Sequence, residues 1–344
     1  MVPELYTTGE ILSLFAFVAP GPDNHPDFIP QPPCTAAAPP NLVDYAIPFV
    51  PIRQPRHHMT PLDIVQTTFL SFVHKDTVKP GYADQEQAPA ATGVSTLNGY
   101  KGRKAVITGA SRGLGRAMAV ALARAGMDVV GTGRDMEAMR QTLAEIEAVG
   151  GKGTAYSLDV TDSAAVAAFA AEVWSAGPVD VVIANAGISL VKPALDTTDD
   201  EFMRVIEANV LGTFATLRAF AGRMRERGSG KLLTVTSDIG IRGSANWAAY
   251  SASKGAIVAL TKTLAWEWAP SLTVNAIAPG AFATDINSHL LAVPQIMSAI
   301  ESETPLGRVG RPDEIGPLAV FLAGPGSDFM TGQIISIDGG IQKS

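Results

Sequence analysis

Residues 104–115 read Lys-Ala-Val-Ile-Thr-Gly-Ala-Ser-Arg-Gly-Leu-Gly, an apolar run that passes through glycines into an alanine-rich stretch. The pattern predicts a strand over Lys104–Thr108, a turn, and a helix over Gly115–Ala125. Glycines let the backbone approach a pyrophosphate, and free N–H groups at a helix start attract an anion. The turn therefore predicts a phosphate site, although its spacing, Gly109-x-x-x-Gly113-x-Gly115, differs from the general Gly-x-Gly-x-x-Gly and also suits a purely structural bend.

Apolar strands and helices continue to alternate along the rest of the chain. The further predicted strands are Asp128–Thr132, Thr154–Leu158, Val179–Asn185, Lys231–Thr236, Thr273–Ile277 and Ile334–Ile337. The further predicted helices are Asp135–Val149, Ala164–Ala176, Glu201–Arg227, Tyr250–Trp268 and Asp313–Ala323. Such alternation indicates parallel strands joined by right-handed crossovers. The predicted fold class is therefore α/β, a Rossmann-type doubly wound parallel sheet of seven strands with helices on both faces.

The N-terminal part differs from the rest in composition. Residues 1–98 hold 15 of the 24 prolines but 4 of the 33 glycines, and they carry a net charge of -5 out of -7. Proline removes a backbone donor and pushes the preceding residue toward extended conformations. We therefore predict a Pro-rich, acidic, largely irregular extension over residues 1–96, followed by one α/β domain over residues 97–344 that contains the predicted phosphate site.

Composition also limits the classes of partner and site. The net charge of -7 and the pI near 5.3 leave no basic surplus for phosphates, so no nucleic-acid partner is expected. The apolar run Ile11–Ala19 is too short to span a bilayer, so no membrane partner is expected. Cys34 is the only cysteine, which excludes a disulfide framework and a cysteine-based metal site. We expect no metal and a reducing, cytoplasmic location.

The end of the second predicted strand bears on the choice of cofactor. It reads Gly131-Thr-Gly-Arg134, without the carboxylate that takes the ribose 2′-hydroxyl in many NAD-binding sheets. Arg134 and Arg112 together suit a 2′-phosphate, so NADP(H) is predicted over NAD(H). The alternative is that both arginines are solvated surface charges. Asp135, one residue later, is predicted as a helix cap.

A second group of residues suggests acid–base chemistry. Tyr250 and Lys254 are four residues apart at the start of a predicted helix and therefore share a face. Tyrosine ionises near pH 10, and a nearby ammonium and the helix dipole both lower its pKa. Ser237 ends a strand at the carboxyl edge, where parallel sheets bind ligands. Tyr-x-x-x-Lys alone also describes a partly exposed tyrosine beside a solvated lysine, and Asn209, inside a helix, would normally face solvent.

Taken together, these residues resemble the short-chain dehydrogenase/reductase family. The resemblance rests on the glycine turn, Asn185-Ala-Gly187, Asn209, Ser237, Tyr250, Lys254 and Pro279-Gly280. It covers about residues 97–344, whereas residues 1–96 match nothing in the family. The C-terminal part is most similar to bacterial 3-oxoacyl reductases and to members resembling gluconate 5-dehydrogenase, which act on sugar acids, polyols or thioesters.

The resemblance implies a catalytic set and a cofactor-binding set. Tyr250 would be the general acid in reduction, Ser237 would hold the carbonyl oxygen, Lys254 would bind the nicotinamide ribose, and Asn209 would anchor a water of a proton relay. Within the cofactor-binding set, Asp159 and Val160 match the family's adenine contacts, and Thr284 matches a carboxamide contact. The implied cofactor-binding residues are Gly109, Ser111, Arg112, Gly113, Leu114, Gly115, Arg134, Asp159, Val160, Asn185, Gly187, Tyr250, Lys254, Pro279, Gly280 and Thr284.

The predicted function is therefore an NADP(H)-dependent carbonyl reductase or alcohol dehydrogenase acting on a small molecule. The resemblance implies a homodimer or homotetramer formed through Glu201–Arg227 and Tyr250–Trp268. The alternative is a non-catalytic NAD(P)-binding regulator that senses redox state. Such a regulator is expected to have lost Ser237, Tyr250 or Lys254, yet all three are present.

Substrate choice is expected to lie in two loops, residues 238–247 and the stretch from Pro279-Gly280 to about Glu303. In the first loop, Asp238, Arg242 and Asn246 suit a hydroxylated substrate, or they are loop groups that satisfy one another. Trp247 equally suits an aromatic or alicyclic ketone.

Overall fold

The computed structural model describes residues 99–342. The predicted N-terminal extension and its boundary at residue 96 lie outside the described residues and stay predictions. The strands are β1 (Lys104–Ile107), β2 (Asp128–Gly133), β3 (Lys152–Ser157), β4 (Val181–Ala184), β5 (Lys231–Val235), β6 (Thr273–Pro279) and β7 (Ile334–Ile337). Each was predicted from the sequence to within a few residues.

Helices alternate with these strands. The α-helices are α1 (Gly113–Arg124), α2 (Met136–Ala148), α3 (Ser163–Ser175), α4 (Asp199–Ile206), α5 (Gly212–Arg227), α6 (Ile239–Arg242), α7 (Ala248–Trp268), α8 (Ser288–Leu291), α9 (Pro294–Glu303) and α10 (Gly316–Ala323). Short 3-10 turns cover Ala194–Asp196, Pro312–Ile315 and Pro325–Ser327. The four-residue helix α6 and the pair α8 and α9 were not predicted.

The seven strands form one parallel sheet with the order β3-β2-β1-β4-β5-β6-β7. Ile107 of β1 lies opposite Gly131 of β2 on one side and Ile183 of β4 on the other. The chain winds outward in one direction from β1 and in the other from β4. This arrangement confirms the predicted doubly wound fold and opens a crevice at the carboxyl ends of β1 and β4, where such sheets bind ligands.

Helices cover both faces of the sheet, and each face has its own apolar core. Successive residues of a strand point to opposite faces. Thus Val106 packs into one core, which also contains Phe220, and Ile107 packs into the other, which also contains Met118. Both cores exclude water from the central strands and hold the strand ends that carry the site.

The region predicted as one helix over Glu201–Arg227 is divided into three segments. Helix α4 begins earlier because Thr198 and Glu201 form a reciprocal capping box. A π-helical turn, Glu207–Leu211, then separates α4 from α5. Such a turn adds width to a helix and often accompanies functional sites. It carries Asn209, which is buried and does not face solvent.

Replacing Phe220 by alanine is expected to lower the free energy of unfolding by about 3–5 kcal/mol, because it leaves a cavity in a close-packed core. The ring is 1% exposed and meets Phe169 edge-on at 6.0 Å between centroids. Urea denaturation of the full chain measures the loss. Phe329→Ala is the matched control, since that side chain is fully exposed. Equal losses in both variants would contradict the assignment of Phe220 to the core.

Candidate active site

A cleft of about 990 Å³ lies at the carboxyl ends of the strands. Segments that follow β1, β2, β3, β4, β5 and β6 line it. Every residue of the predicted catalytic and cofactor-binding sets lines this cleft except Asn209. The fold therefore brings together residues that are up to 175 positions apart, Gly109 and Thr284. Their individual roles stay predictions.

The glycine turn after β1 is closely packed against the segment after β4. Gly109 has φ +68°, and a Cβ on it would lie 2.8 Å from the Cα of Ala186. The Asn185 side chain donates to the carbonyl oxygens of Thr108 at 3.0 Å and Gly109 at 3.1 Å. The Thr108 hydroxyl accepts the N–H groups of Asn185 and Ala186. Asn185 and Thr108 thus fix the shape of the turn, a role for Thr108 that the motif alone did not reveal.

The start of helix α1 is open toward the cleft. Its N-cap residue, Arg112, makes no side-chain capping hydrogen bond, and the first turn contains no acidic residue. In contrast, Asp135 caps α2 and Asp162 caps α3, each by accepting two backbone N–H groups. The prediction that Asp135 is a cap is confirmed. The uncapped N–H groups of α1 suit an anion, so the turn fits the phosphates of a dinucleotide.

Arg134 directly follows β2 and Asp159 follows β3, and both residues line the cleft. Nη1 of Arg134 lies 3.5 Å from Oδ2 of Asp159, and the two side chains are 69% and 44% exposed. Hydrogen bonds from Thr161 are the main cause that holds the pKa of Asp159 below its usual range, and Arg134 contributes less. Arg112 is also exposed and lines the cleft. Both arginines are thus accessible to a phosphate group.

Ser237 and the two loop residues Asp238 and Arg242 are hydrogen-bonded to one another. The Ser237 hydroxyl donates to Oδ1 of Asp238 at 3.0 Å, and Nε of Arg242 donates to Oδ2 at 3.0 Å. The sequence left two interpretations open for these polar groups, binding of a hydroxylated substrate or hydrogen bonds with one another. The second describes Asp238, because both of its carboxylate oxygens accept hydrogen bonds from neighbouring side chains. Asn246 has φ +67° and its carbonyl oxygen accepts the N–H of Lys192. Asn246 and Trp247 both line the cleft.

Tyr250 and Lys254 share a face of α7, as predicted. Nζ of Lys254 lies 5.7 Å from the centroid of the Tyr250 ring and donates to the carbonyl oxygen of Val235 at 2.8 Å. Burial raises the pKa of Tyr250 to about 12; the nearby Ser237 hydroxyl opposes the rise, and the charge of Asp238 adds to it. Burial lowers the pKa of Lys254 to about 8. The expected downward shift for Tyr250 is thus absent in this structure, because burial, which disfavours the charged phenolate, is the largest influence on its pKa.

Asn209 is placed behind the cleft rather than in its wall. Its amide nitrogen donates to the carbonyl oxygen of Ile188 and to the Ser253 hydroxyl, both at 2.9 Å. Its Oδ1 accepts the N–H of Ile188 at 2.8 Å. Both amide hydrogens are therefore used to connect the segment after β4 with helix α7. The water-anchoring role that the resemblance implied stays a prediction, and Ser253 is a partner that sequence reasoning missed.

Two further findings concern the described part of the chain. Between residues 99 and 342, no group of three or more His, Cys, Asp or Glu side chains is arranged to hold a metal ion. None of the helices in the same range has the length and apolar character needed to cross a membrane.

Comparison with known proteins identifies the family. A family model described as Enoyl-(Acyl carrier protein) reductase matches residues 109–342, the whole stretch that builds the cleft. The chain belongs to the short-chain dehydrogenase/reductase family. This short-chain dehydrogenase/reductase is 39% identical over 245 residues to 3beta-hydroxysteroid dehydrogenase 1 of Eggerthella lenta, covering 70% of the chain and 94% of that relative. It is 37% identical over 250 residues to gluconate 5-dehydrogenase of Gluconobacter oxydans, covering 72% and 98%.

Solved structures of short-chain dehydrogenases/reductases agree with the fold described above. A gluconate 5-dehydrogenase from Burkholderia cenocepacia, in complex with NADP and tartrate, superposes with a TM-score of 0.68 at 33% identity, covering 71% of this chain and 98% of that one. A putative gluconate dehydrogenase from Agrobacterium tumefaciens gives 0.69 at 38% identity, with the same coverage. This short-chain dehydrogenase/reductase is thus an oxidoreductase whose relatives are named for acting on alcohol or ketone groups.

Proposed function

We propose that this chain is an NADP(H)-dependent oxidoreductase that transfers a hydride between the nicotinamide and a carbonyl or secondary alcohol, with Tyr250 as the general acid and base. One observation carries the proposal. Ser237, Tyr250 and Lys254 line the same cleft as the glycine turn after β1, where helix α1 begins without a side-chain cap. Transfer of a hydride and a proton to the same carbonyl requires that the bound cofactor and the proton donor lie in one cavity.

Each residue of the site has its own role in the proposed reaction. The nicotinamide, when bound, supplies or accepts the hydride. In reduction, Tyr250 donates its phenolic proton to the carbonyl oxygen, and Ser237 holds that oxygen in place. Lys254, fixed by its hydrogen bond to Val235, holds the ribose and keeps a cation near Tyr250. Asn209 keeps the segment after β4 in register with α7.

The preference for NADP(H) is supported by charge at the adenine end of the cleft. Arg134 and Arg112 both line it and both are exposed enough to reach a 2′-phosphate. Asp159, which follows β3, lies 3.5 Å from Arg134, so the arginine offsets part of its negative charge. Solved relatives with bound NADP agree with this preference.

The substrate is proposed to be a small molecule that carries one carbonyl or secondary alcohol. Val191, Trp247, Ile286 and Ile296 contribute apolar surface to the substrate end of the cleft, and Ser189 contributes a hydroxyl. We further propose a cytoplasmic protein, from its single cysteine, Cys34. From the family resemblance we propose a homodimer or homotetramer built through the stretches Glu201–Arg227 and Tyr250–Trp268.

The proposal is tested by titrating the purified full chain with NADPH and NADH in parallel, with intrinsic fluorescence as the signal. Loss of NADPH absorbance is then followed with ketones, keto acids and 3-oxoacyl thioesters. We expect tighter binding of NADPH than of NADH and consumption of NADPH with one substrate class. Binding without turnover of any class would favour the redox-sensing regulator over the enzyme.

Oxidation of alcohols is expected to be favoured at alkaline pH, and reduction of ketones at neutral pH. The raised pKa of Tyr250 keeps its phenol protonated at neutral pH, which suits proton donation, whereas oxidation needs the phenolate. Below that pKa the phenolate fraction, and with it kcat/KM for oxidation, rises about tenfold per pH unit. Steady-state rates in both directions across pH measure this. An oxidation profile that is flat from neutral to alkaline pH would contradict Tyr250 as the base.

A further inference from the structure

Asp238 lies directly after Ser237, yet none of the roles described above uses it. Asp238 is 3% exposed. Both carboxylate oxygens are engaged, Oδ1 by the Ser237 hydroxyl and Oδ2 by Nε of Arg242, each at 3.0 Å. The backbone N–H of Asp238 donates to the carbonyl oxygen of Pro279 at 3.0 Å. The end of β6 and Arg242 therefore hold this carboxylate in a fixed position at the cleft.

The carboxylate competes with the substrate for a single hydrogen. A serine hydroxyl has one hydrogen to donate. For the Ser237 hydroxyl, Oδ1 of Asp238 is the nearer acceptor at 3.0 Å, and the carbonyl oxygen of Pro279 lies farther away at 3.5 Å. While Ser237 donates to Asp238, the serine oxygen offers only acceptor lone pairs to the cleft, and the N–H of Ile239 already donates to that oxygen at 3.3 Å. A carbonyl oxygen also only accepts. Ser237 can therefore hold a ketone oxygen only after its hydrogen bond to Asp238 is broken.

Asp238 also acts on Tyr250 through its charge. A carboxylate near a phenol disfavours the phenolate, and Asp238 adds in this way to the pKa rise that burial causes in Tyr250. Arg242 offsets part of this charge because it is paired with the same carboxylate. The other charged groups that line this end of the cleft are Lys254 on α7, Arg204 on α4, Glu207 on the π-helical turn, Asp285 after β6 and Glu303 on α9. Asp238 is the only one of these groups that hydrogen-bonds the hydroxyl of Ser237 among the described residues.

We propose that Asp238 is a positioning residue for the reaction proposed above, on which this inference rests. It holds the hydroxyl hydrogen of Ser237 and places a negative charge next to that serine in the cleft that Tyr250 also lines, and Arg242 moderates both effects because it is paired with the same carboxylate. The Asp238–Arg242 pair thereby sets the pH at which alcohol oxidation begins and the affinity for the ketone.

The test uses Asp238→Asn and Arg242→Gln in the full chain. Arginine only donates hydrogen bonds, so Asn in place of Asp238 turns its oxygen to Arg242 and its amide nitrogen to Ser237, which frees the serine hydrogen. The onset of Tyr250 ionisation is read from the ultraviolet difference between each protein and the same protein carrying Tyr250→Phe. We expect a shift of about one pH unit downward in Asp238→Asn, at the low end of what one nearby charge produces. Arg242→Gln is expected to shift the onset upward.

Kinetics supply a second readout. The acid limb of the kcat/KM profile for oxidation is expected to move in the same directions as the ionisation of Tyr250. In Asp238→Asn, KM for the ketone is expected to fall about tenfold, the effect of one hydrogen bond that no longer has to be broken. Asp313→Asn is the matched control, since Asp313 is also paired with an arginine, Arg311, but is exposed and outside the cleft. It should shift neither quantity.

An unchanged ionisation of Tyr250 in folded Asp238→Asn, or shifts in the same direction in both variants, would overturn the proposal. If Asp238→Asn does not fold, the upward shift in Arg242→Gln decides it alone. The spectroscopic readout needs no substrate. A wild-type protein that reduces no carbonyl would therefore refute the proposed function, while the difference spectra would still test the position and charge of Asp238.

Discussion

Replacing Tyr250 by phenylalanine is expected to reduce turnover by about 10²–10⁴-fold, the usual contribution of a general acid or base. The change removes one oxygen and leaves the ring, so packing against Trp247, at 5.4 Å between centroids, is kept. Without the phenolic proton, neither Ser237 nor Lys254 stands in for the donor at the carbonyl oxygen. The affinity for NADPH is expected to equal that of the wild-type protein, because the substitution leaves the glycine turn after β1 and Arg134 unchanged.

The control for this variant is Tyr156→Phe. Tyr156 lies on β3, meets Phe169 edge-on at 5.2 Å and does not line the cleft. The two variants lose the same atom, so a difference in initial rate at saturating NADPH isolates the site from general effects. Undiminished turnover in Tyr250→Phe would remove Tyr250 from the mechanism. Loss of turnover in both variants would point to stability rather than to proton transfer.

Replacing Arg134 by aspartate is expected to weaken NADPH binding by roughly 10–100-fold and to leave NADH binding nearly unchanged. The estimate corresponds to the loss of one charge-assisted hydrogen bond to the 2′-phosphate, at about 1.5–3 kcal/mol. The new carboxylate would also stand beside Asp159, from which Arg134 now lies 3.5 Å away. Two carboxylates at this position repel a phosphate but can accept a ribose 2′-hydroxyl. Fluorescence titration with each cofactor measures the two dissociation constants.

Arg140→Asp is the matched control. Arg140 is 68% exposed against 69% for Arg134, and it pairs with Glu137 on α2 outside the cleft. The two variants change the net charge equally, so a general electrostatic effect on the anionic cofactor would weaken NADPH equally in both. An equal effect of Arg134→Asp on NADPH and NADH would rule out the 2′-phosphate as its partner.

The fold and the position of the cleft could be predicted from the sequence because local signals determine them. Apolar runs that end in glycine indicate strands. Asp135 caps α2 by accepting hydrogen bonds from the backbone N–H groups two and three residues later in the sequence. In a doubly wound parallel sheet, ligands bind outside the carboxyl ends of the strands, at the point where the strand order reverses. Residues placed just after a strand, such as Ser237, were therefore expected at the cleft before any contact was known.

The parts that escaped prediction depend on contacts between distant segments. The π-helical turn has no local signature in the sequence. Asn209 is buried where it hydrogen-bonds Ile188 and Ser253, and because these partners lie 21 and 44 residues away along the chain, its neighbours in the sequence do not reveal its burial. The pKa of Tyr250 was expected to fall because the sequence displays its charged neighbour but not its burial. Helices α8 and α9 were missed because residues 281–303 were interpreted only as a variable loop.

The order of the strands has a consequence for how such a protein can evolve. One uninterrupted stretch, residues 109–160, contains the glycine turn, Arg134 and Asp159, and it precedes helix α3. Ser237, Tyr250 and Lys254 all come after it. One genetic crossover within α3 would exchange the adenine-binding half of the cleft and leave the half that handles the proton intact. Preference for a nucleotide and preference for a substrate can thus be inherited from different parents.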